Sequence, residues 1–336
     1  LQKTALALLV GWYAANAAAY SEQGQAGNTK SWESAEYLKD WGLTSMNAST
    51  AYALGFNGSG VKIGVMDSGV LLNHPEFQDG RIHVVKTEGT YSKDGMRYPD
   101  ASVGNGPINK NEPVKNGKRN FDKTDNGVFT KGEAFNIDGT WHKYTNDAHG
   151  THVGGTMAAT RDGNEMHGVA FGANLYSANT GGNDNMTYGP NQDYGFFLQG
   201  YSALADAGAK VINNSWGSNR RVNSSFAGAL GYKPKYDWRD VPEYGVQYYD
   251  VPKAPEPISS PAAHIYLSNL GEAEKAYYQF VTSGEKNFVD AAYEVAKNRK
   301  VIQVFTAGNR SMMAESFTRA MLPHFRPDAE KYWVNV

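Results

Sequence analysis

The sequence predicts an α/β fold with a mainly parallel central sheet flanked by helices. Short apolar runs alternate with amphipathic helical patterns along the chain, and strands covered on both faces read as such runs. Two long polar stretches interrupt that rhythm without replacing it.

Taken in order, residues 20–50 are polar, with a short helix expected over 32–40, and this extension is expected to pack on the surface of the domain after it. Residues 61–66 read as a strand and 151–160 as a helix. Residues 174–178 read as a strand, 195–207 as a helix and 210–214 as a strand. Residues 288–297 then read as a helix and 301–306 as a strand. In the last of these helices Phe288, Ala291, Ala292 and Val295 fall at i, i+3, i+4 and i+7, which makes one buried face. Residues of about 85–145 are rich in Gly, Asn, Asp and Lys, and those of about 218–262 in Pro and Tyr. Both read as insertions in a domain covering 51–336, because loops of that length are uncommon in compact domains.

Composition narrows the function. The chain has 336 residues, 40% hydrophobic and 20% charged, a globular balance. A formal charge of −2 gives no reason to expect a nucleic-acid partner. There is no cysteine, which excludes a disulfide framework, a thiol nucleophile and thiolate metal sites. Lys3, the apolar run of residues 4–13 and the small residues Ala14 to Ala19 read as a signal peptide over 1–19, clipped at its start. The apolar run is too short for a membrane span, which needs about 20 residues.

Two segments carry the chemistry. Val61-Lys-Ile-Gly-Val-Met-Asp67-Ser-Gly69 reads as a strand ending in an aspartate, and reactive groups gather at the carboxyl ends of parallel strands. Asp147-Ala-His149-Gly-Thr-His152-Val-Gly-Gly155 delivers a histidine at the start of a helix, with glycines that let the helix approach its neighbours closely. A carboxylate accepting from imidazole Nδ1–H fixes the tautomer and stabilises the imidazolium. Alone, Asp67 reads first as a loop aspartate capping the next element. His149 and His152 form a His-x-x-His pair, but no glutamate lies between them and no third ligand is evident, so no metal site is assigned.

With Val211-Ile-Asn-Asn-Ser215-Trp216-Gly217 and Thr306-Ala-Gly308-Asn309, these segments resemble, in order, the successive signatures of subtilisin-like serine proteases. The resemblance covers about residues 55–336 and implies a three-layer subtilisin-like fold, incomplete at the C-terminus. It implies that Asp67 orients His149, that His149 acts as general base and then general acid, and that Asn309 donates to the oxyanion. Ser215, Trp216 and Gly217 would pair with substrate backbone and line its pocket. No redox or nucleotide cofactor is implied. Glu76 and Asp162 fall where many relatives place ligands of a structural calcium ion, although surface charge accounts for both. Protein or peptide substrates are the implied partners.

The chain also departs from the pattern. The family's nucleophile stands in a Gly-Thr-Ser-Met-Ala-x-Pro context that is absent here. Ser311, in Asn309-Arg-Ser311-Met-Met-Ala314, lies two residues from Asn309, too close to leave room for a carbonyl between them. The serine is expected beyond Val336. Gly154 stands where relatives usually have alanine. The leader, residues 32–42, Ala51 to Gly55 and Leu322 to Trp333 resemble subtilases of Gram-negative autotransporters, which precede a C-terminal outer-membrane β-barrel. That implies a secreted or cell-surface protein. Two rival readings are a non-catalytic subtilase-fold binding protein and a metal-dependent hydrolase using His149 and His152.

Overall fold

The computed structural model describes residues 24–96, 128–141, 148–180, 193–216, 233–237, 247–250, 286, 288–306 and 322–336. Residues 1–19, Asp147, Gly217, Asn309, Ser311 and most of the two expected insertions lie outside them. Six strands form the central sheet: β1 (Lys62–Asp67), β2 (Ile82–Val84), β7 (Asn174–Asn179), β8 (Val211–Asn214), β11 (Ile302–Phe305) and β12 (Trp333–Asn335). Their order is β12-β11-β8-β1-β7-β2. The pairs β1–β8, β8–β11 and β11–β12 are all parallel, with Ile63 opposite Val211, Ile302 opposite Val211 and Gln303 opposite Trp333. The mainly parallel α/β architecture expected from the alternation is therefore present. Every expected strand and helix of the body recurs within two residues of its expected ends.

Two compact units divide the chain. The smaller takes residues up to Lys62 together with Leu71–His83 and Thr151–Leu175; the larger takes Ile63–Val70, Val84–Gly150 and Tyr176–Val336.

In the larger unit the core gathers Met66, Phe196, Tyr201, Leu204, Ile212, Phe288, Val295, Phe305 and Trp333. Helix α5 (Tyr194–Asp206) starts at a buried cap: Asp193 accepts from the amides of Phe196, Ser92 and Lys93 and from the Ser92 hydroxyl. Helix α6 (Phe288–Arg299) buries Phe288, Ala291, Ala292 and Val295, the four residues singled out by their spacing. Each such aromatic or branched side chain contributes about 1.5–3 kcal/mol by leaving water. A polar relay crosses this apolar interior. The Tyr201 hydroxyl donates to Asn214 Oδ1 at 2.8 Å, and Asn214 Nδ2 donates to Gln303 Oε1 at 3.0 Å and to the Val304 carbonyl at 3.2 Å. All three side chains are buried, so each polar atom would be costly without its partner.

In the smaller unit the extension contributes helices α1 (Ala35–Lys39), α2 (Trp41–Ser45) and α3 (Ala48–Ala53). Ser34 and Asp40 cap the first two by accepting from the amides of Tyr37 and Gly42. Tyr37, Leu43 and Tyr52 are buried there, with Trp32, Val169 and Phe171 packed against them. Each tyrosine hydroxyl is satisfied by a carbonyl, Leu43 O at 2.9 Å and Val169 O at 2.8 Å.

The stretch read as a loop over about 85–145 contains antiparallel structure. Strand β3 (Lys86–Thr90) pairs with β6 (Ala134–Asp138), placing Gly89 opposite Phe135, and β4 (Gly95–Met96) pairs with β5 (Val128–Phe129). In β3 the inward positions are Thr87 and Gly89, so the alternation that marks a strand is missing from the hydropathy pattern. In the second stretch, β9 (Lys233–Asp237) pairs antiparallel with β10 (Gln247–Asp250). Among the described residues no helix is long and apolar enough to cross a membrane.

Candidate active site

Strand β1 runs apolar through Val65 and Met66, both fully buried, and ends at Asp67. At the strand's carboxyl end the chain turns through Ser68 and Gly69. Gly69 adopts φ +86°, and a Cβ there would stand 2.7 Å from Thr140 O and 2.8 Å from Asn179 Nδ2, so the turn accepts glycine alone. Opposite it, helix α4 (His149–Ala158) begins at the predicted histidine.

The two groups meet. His149 Nδ1 lies 2.8 Å from Asp67 Oδ1. A carboxylate can only accept, so in this contact the proton lies on Nδ1. Asp67 is 3% exposed in its side chain and the imidazole 32%. The anchor is dry while the ring it holds is partly open to solvent.

The aspartate is held through one carboxylate oxygen and its backbone carbonyl, while Oδ2 is buried without a hydrogen-bond partner. Its Oδ1 also accepts from the Ser68 amide at 2.7 Å, and the Asp67 carbonyl accepts from the Thr180 amide at 2.7 Å. Ser68 Oγ accepts from the Gly150 amide at 2.8 Å, which ties the turn after the aspartate to the residue after the histidine. That approach needs glycine at 150: a Cβ would stand 2.5 Å from Gly69 O. The sequence marks Ser68-Gly69 as a turn and the glycines of α4 as contact points. The hydroxyl contact of Ser68 and the part of Thr180 carry no sequence signal.

Of the expected substrate-binding residues, Ser215 and Trp216 are described. Ser215 Oγ accepts from Asn213 Nδ2 at 2.8 Å. The Trp216 ring lies 5.4–6.1 Å from those of Phe197, Phe288 and Phe305, and its indole Nε1 donates to the Met66 carbonyl at 2.6 Å.

In the smaller unit Glu76 Oε2 is buried without a hydrogen-bond partner, and Glu36 accepts from the amides of Asp162 and Gly163. Burial first, and then Asp162, Glu36 and Glu165, push the Glu76 carboxyl up to about 7. Among the described residues no group of three or more His, Asp or Glu side chains is disposed to hold a metal ion. His152 is exposed.

Known proteins resemble this chain over most of its length. It is 30% identical over 313 residues to an extracellular serine protease of Serratia marcescens, covering 93% of this chain and 23% of that protein. It is 28% identical to bacillopeptidase F of Bacillus subtilis (strain 168), covering 76% of this chain and 16% of that protein. The chain thus spans less than a quarter of the length of either relative. Among solved structures, fervidolysin from Fervidobacterium pennivorans, a keratinolytic enzyme related to subtilisin, aligns with 86% of this chain and 28% of its own, at 18% identity and a TM-score of 0.35. A lanthipeptide protease aligns with 93% of this chain and 59% of its own, at 16% identity and the same TM-score of 0.35. Residues 58–333 match the Peptidase S8 profile, described as the subtilase family. By that match, over most of its length, the chain belongs to the subtilase family.

Proposed function

We propose that this chain carries the aspartate, the histidine and the oxyanion donor of a secreted serine endopeptidase, with the nucleophilic serine contributed by polypeptide beyond Val336. The observation that carries this is the 2.8 Å contact between Asp67 and the Nδ1 of a His149 ring that is itself partly exposed. In this reading Nε2 takes the proton of the serine hydroxyl as it attacks the peptide carbonyl. Asp67 stabilises the imidazolium, and the same proton then passes to the leaving amine. Asn309 donates to the developing oxyanion, and the Ser215–Gly217 segment pairs with the substrate backbone as an added strand. The chemistry uses only these groups and water. Naming of the Serratia relative as extracellular supports export to the medium or cell surface. Passage through the periplasm as an autotransporter passenger, with an outer-membrane β-barrel as partner, extends that reading.

The test is proteolysis of unfolded casein. The 336-residue chain should show no turnover, because base and oxyanion donor lack an attacking group. In the full-length protein His149→Ala should remove nearly all turnover and leave thermal unfolding unchanged. Sustained turnover by the 336-residue chain, abolished by His149→Ala, would place the nucleophile within it and refute the assignment of the serine.

A further inference from the structure

We propose that Trp216 is a positioning residue for Asp67, acting through its indole N–H, in addition to any contact it makes with substrate. This rests on the proposed triad. The Asp67 carboxylate must stay within hydrogen-bond reach of His149 while the imidazole gains and loses charge, and it sits at the last position of strand β1. The register of β1 with β8 ends at Val65 opposite Asn213, one residue short of Met66 and two short of the aspartate. Beyond that register other groups hold the strand end. The Thr180 amide holds the Asp67 carbonyl at 2.7 Å, and the Trp216 indole holds the Met66 carbonyl at 2.6 Å. The Met66 carbonyl and the Asp67 nitrogen share one rigid peptide plane, so fixing that oxygen fixes the orientation from which the Asp67 side chain departs.

The indole is itself held. Phe197, Phe288 and Phe305 surround it at ring separations of 5.7, 5.4 and 6.1 Å. Phe305 in turn stacks on Trp333 at 4.7 Å. A side chain serving only as a mobile pocket wall has no need of a directed bond to the strand that carries the catalytic acid. Tryptophan combines a bicyclic aromatic body for such a box with a single donor-only N–H at its rim. The link also couples two parts of the site, because Trp216 belongs to the segment expected to bind substrate while Met66 adjoins the triad. Met66 itself is fully buried, so its carbonyl has little access to water as a substitute partner.

The experiment compares Trp216→Phe, which keeps a ring and removes the donor, with replacement of Trp216 by benzothienylalanine, which keeps the full bicyclic shape and removes the N–H. Both are made in the full-length protein and measured on a peptide substrate with active sites titrated. Expected in both is a fall in kcat of about tenfold, the scale of one lost buried hydrogen bond. KM should stay within about twofold, and the acid limb of the pH–rate profile should move to lower pH, because a loosened carboxylate stabilises the imidazolium less well. Unchanged kcat and an unmoved acid limb in the benzothienylalanine protein would overturn the proposal. So would a change confined to KM or to side-chain preference, which is what a pocket wall gives. Asp67→Asn and His149→Ala serve as controls: if these also leave turnover intact, it is the triad reading that has failed.

Discussion

Replacing Gly150 by alanine sets two forces against each other at the site. Residue 150 sits in the first turn of helix α4, directly after the imidazole. Helix propensity favours alanine by about 1 kcal/mol. The packing opposes it. A Cβ at 150 would lie 2.5 Å from Gly69 O, 2.9 Å from Gly69 N and 3.0 Å from Ser68 N, all backbone atoms that no side-chain rotation can remove. Restoring an ordinary carbon–oxygen separation of about 3.3 Å needs roughly 0.8 Å of displacement between the turn and the helix start. Overpacking of that kind costs about 1–3 kcal/mol, so after the propensity gain the net loss of stability is roughly 0–2 kcal/mol. Catalysis should suffer far more. Catalytic groups tolerate about 0.5 Å of misplacement, and about 1 Å costs on the order of a hundredfold. The displaced parts include both the Ser68 hydroxyl contact to the Gly150 amide and the Asp67–His149 bond. In the full-length protein Gly150→Ala should therefore lower kcat/KM by one to two orders of magnitude with a shift of only a few degrees in Tm. A variant within threefold of wild-type activity, or one whose crystal structure keeps the 67–149 distance, would refute the steric argument.

Two further outcomes concern stability. Glu76, with its folded pKa raised from 4.5 to about 7, binds more protons in the native than in the unfolded state between those values, so its contribution turns unfavourable as pH rises from about 4.5 and is fully unfavourable above 7. Glu76→Gln should be more stable than wild type at pH 8 and equal to it near pH 4, read from Tm across that range; parallel curves would contradict the sign. Asp193→Ala removes the cap of helix α5 and strips the Ser92 and Lys93 amides of their acceptor, which should cost about 3 kcal/mol in urea unfolding. A loss below about 1 kcal/mol would mean that the site rearranges.

Sequence pattern discloses those parts of the molecule where a period or a motif coincides with a physical requirement. Phe288, Ala291, Ala292 and Val295 bury as their spacing demands. Asp67 and His149 meet at a strand end and a helix start that patterning marks, but their pairing is what the resemblance to the subtilisin-like signatures implies, because Asp67 alone reads as a loop cap. The pairing of β3 with β6 is not legible, because threonine and glycine hold the inward positions that apolar residues would mark. Nor is the aromatic core of the smaller unit, where Tyr37 and Tyr52 are buried through hydroxyl bonds to carbonyls of residues 43 and 169. A tyrosine in a polar stretch reads as surface until its partner is known. Its place in a motif points Trp216 to substrate contact, whereas its indole bond to Met66 depends on three-dimensional proximity across 150 residues of sequence.

The amide and hydroxyl relay from Tyr201 through Asn214 to Gln303 has a consequence for how much variation this scaffold can absorb. A one-residue slip of a strand already moves every side chain to the other face, and a chain of directed donors and acceptors in a dry interior adds a second requirement that only one alignment meets. Strands β8 and β11 are therefore keyed to each other independently of the long segment that joins them. Lengthening, trimming or exchanging the insertion of about residues 218–262, which excludes Trp216 and helix α6, should leave unaltered the depth at which each strand emerges, so new specificities can be grafted there while the reactive centre keeps its dimensions.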